Sequence, residues 1–92
     1  MSKQDLATKR MDIYKAKPGM LVVNQTWLSC LDHNNLKIQL TPYKLMLLVS
    51  VEVFIYKNRC YVRSDILLEE KVYRLLELSK EKWNESFRIV LP

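Results

Sequence analysis

An almost wholly apolar stretch of twelve residues, Leu45–Tyr56, restricts the folds open to this chain more than any other feature. Its only polar residues are Ser50 and Glu52, so a helix built from it would need covering on nearly every side. Thr41-Pro42 comes just before it, and Thr at an N-cap followed by Pro in the first turn is typical of a helix start. Because residues 45–48 are also unbranched at Cβ, we predict a helix over 45–56.

The same stretch has an alternative interpretation as a strand. Val49, Val51, Val53 and Ile55 are β-branched and recur at every second position, which is the period of a strand. In that case residues 56–60 would form a hairpin turn between two strands. The helix is the preferred prediction, and the strand remains as the alternative.

The rest of the chain predicts further helices joined to short strands. Apolar residues at helical spacing indicate helices, and strict alternation indicates strands. In the first half we expect a helix over 3–16 that begins with a capping pair, Ser2 and Asp5, and ends at Pro18-Gly19; a strand or buried helix over 20–23; a helix over 27–31 capped by Asn24 or Thr26; and a short strand or extended connector over 36–40. Beyond residue 56 we expect a helix from a cap at Ser64 or Asp65 to Trp83, and a strand over 87–91.

These elements predict a single domain, 1–92, of the α+β class, mainly helical with a small sheet of short strands. Residues 1–17 are expected to form a basic N-terminal helix or arm, and residues 41–91 the core. The chain has only one Gly, which argues against a turn-rich all-β fold. The side chains expected to be buried together are Leu47, Leu48, Val51, Phe54, Leu68, Val72, Leu75 and Leu76.

Segments that would place the chain in or across a membrane are absent from the sequence. No apolar run reaches the roughly 18 residues that span a bilayer. The first residues also lack the apolar centre of a signal peptide. We therefore expect a cytoplasmic protein with Cys30 and Cys60 as free thiols.

No arrangement of residues in the sequence indicates an enzyme. His33 is the only His and stands beside two Asn in an expected surface turn, so it offers no catalytic pair. Cys30, Asp32 and His33 lack a fourth ligand at a usual zinc spacing. The sequence therefore predicts a protein without catalytic residues, metal or cofactor.

The basic residues are concentrated in two segments. The net charge is +5, and its excess lies in residues 1–17 and 57–63. Cations in a turn beside Tyr side chains can bind phosphate oxygens, so we expect a non-catalytic module that binds double-stranded DNA. A basic turn that only keeps the chain soluble is the alternative. The residues expected to contact nucleic acid are Lys57, Arg59, Arg63, Lys9, Arg10 and Tyr61.

The apolar stretch also predicts association. A small core cannot cover all sides of an apolar helix in a chain of 92 residues, so we expect a homodimer or another protein partner. Met46, Val53, Phe54 and Ile89 are the expected interface residues. The alternative function is thus a protein-interaction or dimerisation module, such as an accessory protein of a phage or mobile element.

Residues 41–91 resemble a known family. Thr41–Ser50, the basic turn, Asp65–Glu70 and the expected helix to Trp83 are similar to the N-terminal winged-helix domain of HNH-type restriction endonucleases, including enzymes that recognise modified DNA. The resemblance implies a winged-helix-like core and a role in DNA binding or regulation. The HNH residues themselves are missing, so it implies no nuclease activity.

Overall fold

A computed structural model describes residues 7–92, and over this range the chain forms one curled antiparallel sheet, a half-barrel, with a single α-helix. The strands are β1 (Thr8–Arg10), β2 (Leu21–Asn24), β3 (Leu28–Leu31), β4 (Lys37–Leu40), β5 (Leu45–Tyr56), β6 (Arg59–Leu68), β7 (Lys71–Leu75), β8 (Leu78–Ser79) and β9 (Phe87–Val90), with a 3₁₀ turn at Ile13–Lys15 and the helix α1 at Lys80–Ser86.

The strands follow the order β1-β9-β2-β5-β6-β7-β3-β4, and every neighbouring pair is antiparallel. The short β8 pairs with β6 beyond the end of β7. A mainly helical α+β fold with a winged-helix-like core, expected from the sequence, is therefore wrong. The sheet, expected to be small, is the main element of the fold.

Residues 45–56 form the strand β5, which begins just after a tight turn. Tyr43 has a left-handed backbone, with φ of 70°. The buried side chain of Asn24 fixes this turn: its Oδ1 accepts the N–H of Lys44 at 2.6 Å, and its Nδ2 donates to the carbonyl of Thr41 at 2.8 Å. Thr41-Pro42 thus precedes a turn into β5, and the strand alternative is confirmed.

The predicted helix from Ser64 to Trp83 is also wrong. Residues 64–68 continue β6, and β7 returns antiparallel beside them. Glu69 and Glu70 form the two-residue turn between these strands, with φ of 52° and 69°. Helix begins only at Lys80, where the hydroxyl of Ser79 accepts the N–H of Lys82 as an N-cap.

Two other predicted helices are strands or turns. Residues 27–31 contain β3, and the described part of 3–16 contains β1 and the 3₁₀ turn. The capping pair Ser2 and Asp5 lies outside the described residues. The predicted strand over 87–91 is confirmed as β9, and residues 36–40 and 20–23 adopt the strand alternatives in β4 and β2.

The core lies on one face of the sheet, here called the inner face. Trp83 of α1 is fully buried there, and its ring centroid lies 5.0 Å from that of Phe87. The indole Nε1 donates to the buried hydroxyl of Ser64 at 3.1 Å. Alternation along the strands places the intervening side chains on the opposite, outer face. Other buried side chains of the core include Val22, Cys30, Met46, Leu48, Val62, Ile66 and Leu75.

Candidate nucleic-acid interface

The end of the β5–β6 hairpin extends beyond the rest of the sheet. β5 pairs with β2 only at Leu45–Leu47, whereas its pairing with β6 continues to Tyr56 and Arg59. Residues 7–92 measure 47 Å along their longest axis and 21 Å along their shortest. Lys57 and Asn58 close the hairpin with left-handed backbones, with φ of 51° and 63°. This is the two-residue turn that suits the twist of paired strands.

Three aromatic side chains lie on the outer face of the hairpin end and are called the platform: Phe54, Tyr56 and Tyr61. Phe54 and Tyr61 are directly paired across the strands. Their ring centroids lie 5.9 Å apart and their planes differ by 28°, which is a stacked arrangement. An open groove of about 470 Å³ runs along the platform and is also lined by Arg63 and Glu77. Flat rings at the edge of an open groove can stack on other flat groups.

Arg63 is held beside the platform by carboxylates. Its Nε donates to Glu77 at 2.9 Å, and its Nη1 lies 3.3 Å from Glu52. The guanidinium also lies 4.8 Å from the centroid of the Phe54 ring. The hydrogen bond and charge of Glu77, followed by the charge of Glu52, raise the pKa of Arg63. Two carboxylates therefore offset the charge of Arg63, which also contacts the Phe54 ring.

Lys57 and Arg59 differ from Arg63 in their surroundings. Neither has a carboxylate within 4.0 Å among residues 7–92. The Nζ of Lys57 lies 5.3 Å from the centroid of the Tyr56 ring, a cation–π contact. Arg59 is paired with Tyr56 across the hairpin, and both cations are exposed. These two side chains are free to bind anions next to the aromatic groove.

The other two predicted contact residues, Lys9 and Arg10, lie far from the hairpin end. Arg10 is in register with Arg88, then with Val23, and then with Leu45. Leu45 precedes Tyr56 by eleven residues, which at about 3.3 Å per residue corresponds to roughly 35 Å along the sheet. The fold brings Lys57, Arg59, Arg63 and Tyr61 together and leaves Lys9 and Arg10 apart.

The residues expected at a protein interface fall into a buried pair and a pair on the projecting hairpin. Met46 and Ile89 are 2% and 6% exposed and belong to the core. Val53 and Phe54 lie in the projecting part of β5, where Val53 is 41% exposed. Only these two offer surface to a partner.

Sequence reasoning assigned Phe54 to an interface and missed Glu52 and Glu77 as partners of Arg63. Glu52, Phe54 and Tyr56 alternate in the same way as Arg59, Tyr61 and Arg63. That double alternation around a two-residue turn is the sequence signal for one shared face. This alternation can be recognised as a signal only if residues 45–56 are assigned to a strand. No sequence signal indicated Glu77, because it follows β7.

Metal sites and membrane-spanning helices are not found among the described residues. In residues 7–92, no three His, Cys, Asp or Glu side chains stand close enough to hold a metal ion. Within this part of the chain, no helix has the length and apolar character needed to cross a membrane. Burial raises the pKa of the Cys30 thiol, so this group is mainly protonated at neutral pH.

Comparisons with known protein families, with curated proteins and with solved structures found no match to this chain. The relation to restriction endonucleases suggested by residues 41–91 thus has no support from them. The winged-helix core that it implied is contradicted by the fold.

Proposed function

We propose that this chain is a non-catalytic nucleic-acid-binding module that holds unpaired bases on the platform and phosphates on Lys57 and Arg59. The observation that carries the proposal is the stacked pair of Phe54 and Tyr61, next to two exposed cations without carboxylate partners in the described chain. Aromatic rings combined with cations along a groove are the usual means of binding single strands.

The platform favours single strands over a duplex for a geometric reason. Bases in a duplex are already stacked on one another and their faces are covered, whereas unpaired bases can stack on protein rings. Lys57 and Arg59 would bind phosphates of either form, because phosphates are exposed in both. Double-stranded DNA, the partner expected from the sequence, therefore remains a weaker ligand in this proposal.

The energetics follow from the few groups involved. Each base stacked on an aromatic side chain contributes about 1–3 kcal/mol, which is about 5- to 150-fold in affinity. Each phosphate of a single strand that is neutralised contributes about 0.7 to the slope of log affinity against log salt. Removing both cations should therefore reduce the steepness of the plot of log affinity against log salt by about 1.4.

The test is fluorescence anisotropy with a labelled single-stranded oligonucleotide of about 12 nucleotides, repeated over a salt series. The double variant Lys57→Gln, Arg59→Gln should lower the slope by about 1.4. The control variant Lys37→Gln, Lys71→Gln makes the same charge change at two exposed positions on β4 and β7, and should leave the slope near that of the unmodified chain.

The aromatic part of the proposal has its own variants. Phe54→Leu and Tyr61→Leu should each weaken binding by about 5- to 150-fold and leave the salt slope unchanged, because stacking carries no charge. Circular dichroism checks that each variant keeps the sheet. Absence of binding to single strand and duplex at low salt would end the proposal. Binding that none of these substitutions weakens would place the site elsewhere.

A further inference from the structure

One edge of β5 is unpaired along the projecting end of the hairpin. The last backbone bonds on that edge join Leu48 to its neighbours: its N–H donates to Met20 at 2.9 Å, and its carbonyl accepts the N–H of Gly19 at 2.7 Å. From Ser50 to Tyr56 the strand pairs with β6 on one side and, within residues 7–92, with no strand on the other. We call Ser50–Tyr56 the free edge.

The pairing of the hairpin determines which backbone groups the free edge presents. A two-residue turn is flanked by a pair of residues that exchange both backbone hydrogen bonds, here Tyr56 and Arg59. Bonded and non-bonded pairs then alternate away from the turn. Consequently the N–H and carbonyl groups of Val51, Val53 and Ile55 point away from β6, to the free edge.

The free edge lacks the protection that exposed edges usually have. Such edges generally carry Lys or Pro, or an irregularity in the middle of the strand. Here Glu52 is the only charged residue in the segment, and the irregularity at Val49 precedes it. Ile55 is 75% exposed and Val53 is 41% exposed. An apolar edge with free donors and acceptors matches another strand of the same kind.

We infer that the free edge pairs antiparallel with the free edge of a second copy of this chain, about a two-fold axis at Val53. Antiparallel pairing of one segment with itself satisfies donors and acceptors on both strands, so the same patch serves both copies. With the axis at Val53, three residue pairs exchange two bonds each, which gives six hydrogen bonds: Val53 with Val53, and Val51 with Ile55 twice.

The neighbouring registers are less favourable. Moving the axis to Glu52 or to Phe54 leaves two bonded pairs of outward-facing residues, or four hydrogen bonds. The axis at Glu52 also sets two carboxylates directly opposite each other, which is destabilising. Val53 lies at the centre of the free edge, so only this register pairs its full length. The inference does not depend on nucleic-acid binding.

The first experiment is the mass of the full chain by sedimentation equilibrium, from low micromolar to near-millimolar protein. The expected result is a concentration-dependent rise from 11.0 kDa towards twice that mass. Val53→Lys sets two ammonium groups opposite each other at the axis, so this variant should stay at 11.0 kDa. Val72→Lys is the matched control, because Val72 has a similar exposure on the outer face of β7 and should dimerise as the unmodified chain does.

Cysteine cross-linking tests the register. In a Cys60→Ser background, Val53→Cys would place two Cα atoms about 5.5 Å apart, which a disulfide can bridge, so mild oxidation should yield a covalent dimer. Ile55→Cys on the same face would place them more than about 12 Å apart and should yield none. A monomer mass at every concentration, or association that Val53→Lys leaves unchanged, would overturn the inference. Cross-linking at Ile55 without cross-linking at Val53 would overturn the register.

Discussion

The bond between Trp83 and Ser64 offers the sharpest test of the fold. The indole Nε1 donates to the Ser64 hydroxyl at 3.1 Å, and the two residues are 0% and 1% exposed. Ser64→Ala removes the acceptor and leaves a buried indole N–H without a partner, which costs about 1–3 kcal/mol of unfolding free energy. Trp83→Phe removes the donor and part of the ring, and a loss of about 1–3 kcal/mol is expected from the unfilled space.

The double variant separates the bond from the packing. Once both partners are gone, no buried donor is left unpaired, so the double variant should lose about 1 kcal/mol less than the two single losses added together. The measurement is urea unfolding followed by far-ultraviolet circular dichroism, with equal slopes required across the four proteins. Circular dichroism is preferred over fluorescence because Trp27 is 60% exposed and would contribute emission of its own.

The result also distinguishes between two folds. In a continuous helix from Ser64 to Trp83, residues 19 positions apart could not share a hydrogen bond, and the two substitutions would act independently. Losses that add to within about 0.3 kcal/mol would therefore contradict the sheet described above. So would a neutral Ser64→Ala, because it would mean that the indole does not reach β6.

Two further predictions concern titration and thiol reactivity. The carboxylate of Asp32 accepts the N–H groups of Asn34 at 2.8 Å and Leu36 at 3.0 Å, and its pKa is lowered, chiefly by the bond from Leu36. Its stabilising effect should be complete above the ordinary value of 3.8 and fade as the pH falls through the lower folded pKa, so the stability difference from Asp32→Asn should shrink below pH 3.8 in urea titrations. Cys30 is buried and Cys60 half-buried, so iodoacetamide should modify Cys60 alone in the native chain by mass spectrometry, and equal labelling of both would contradict the core.

Part of the fold could be predicted because alternation is visible in short segments. Leu36–Leu40 alternates between apolar and polar residues, Phe87–Leu91 is apolar except at Arg88, and both contain strands. The long strands were obscured by local signals of helix. The unbranched Leu45–Leu48 and the preceding Thr41-Pro42 favour a helix locally, and tertiary packing outweighs such preferences.

The hairpin turns were not predicted for a different reason. Hairpins with two-residue turns are usually recognised by Asn-Gly or Asp-Gly in the turn, because these residues tolerate positive φ. Here the left-handed positions are occupied by Lys57-Asn58 and Glu69-Glu70, and the chain has a single Gly. Scarcity of Gly therefore argued wrongly against an all-β fold, since the sheet bears the strain of non-Gly turns.

The sequence indicated the cations of the proposed site but neither its full aromatic platform nor its arrangement. The cations of the basic turn are local in sequence, so Lys57 and Arg59 could be chosen without a fold. The stacking of Phe54 on Tyr61 could be predicted only from the register of β5 and β6. The ion pair of Arg63 could be predicted only if the position of Glu77, in the connection between β7 and β8, were known. The distance of Lys9 from the hairpin end could not be known before the position of β1.

The two proposed surfaces use different groups of β5. Along the hairpin end, Glu52, Phe54 and Tyr56 direct their backbone groups to β6 and their side chains to the outer face. Val51, Val53 and Ile55 do the reverse, with backbone groups at the free edge and side chains on the inner face. A two-fold axis perpendicular to the sheet keeps the outer faces on one side. Pairing through the free edge would therefore bring two platforms next to each other on the same surface, with Glu52 of each copy opposite Phe54 of the other.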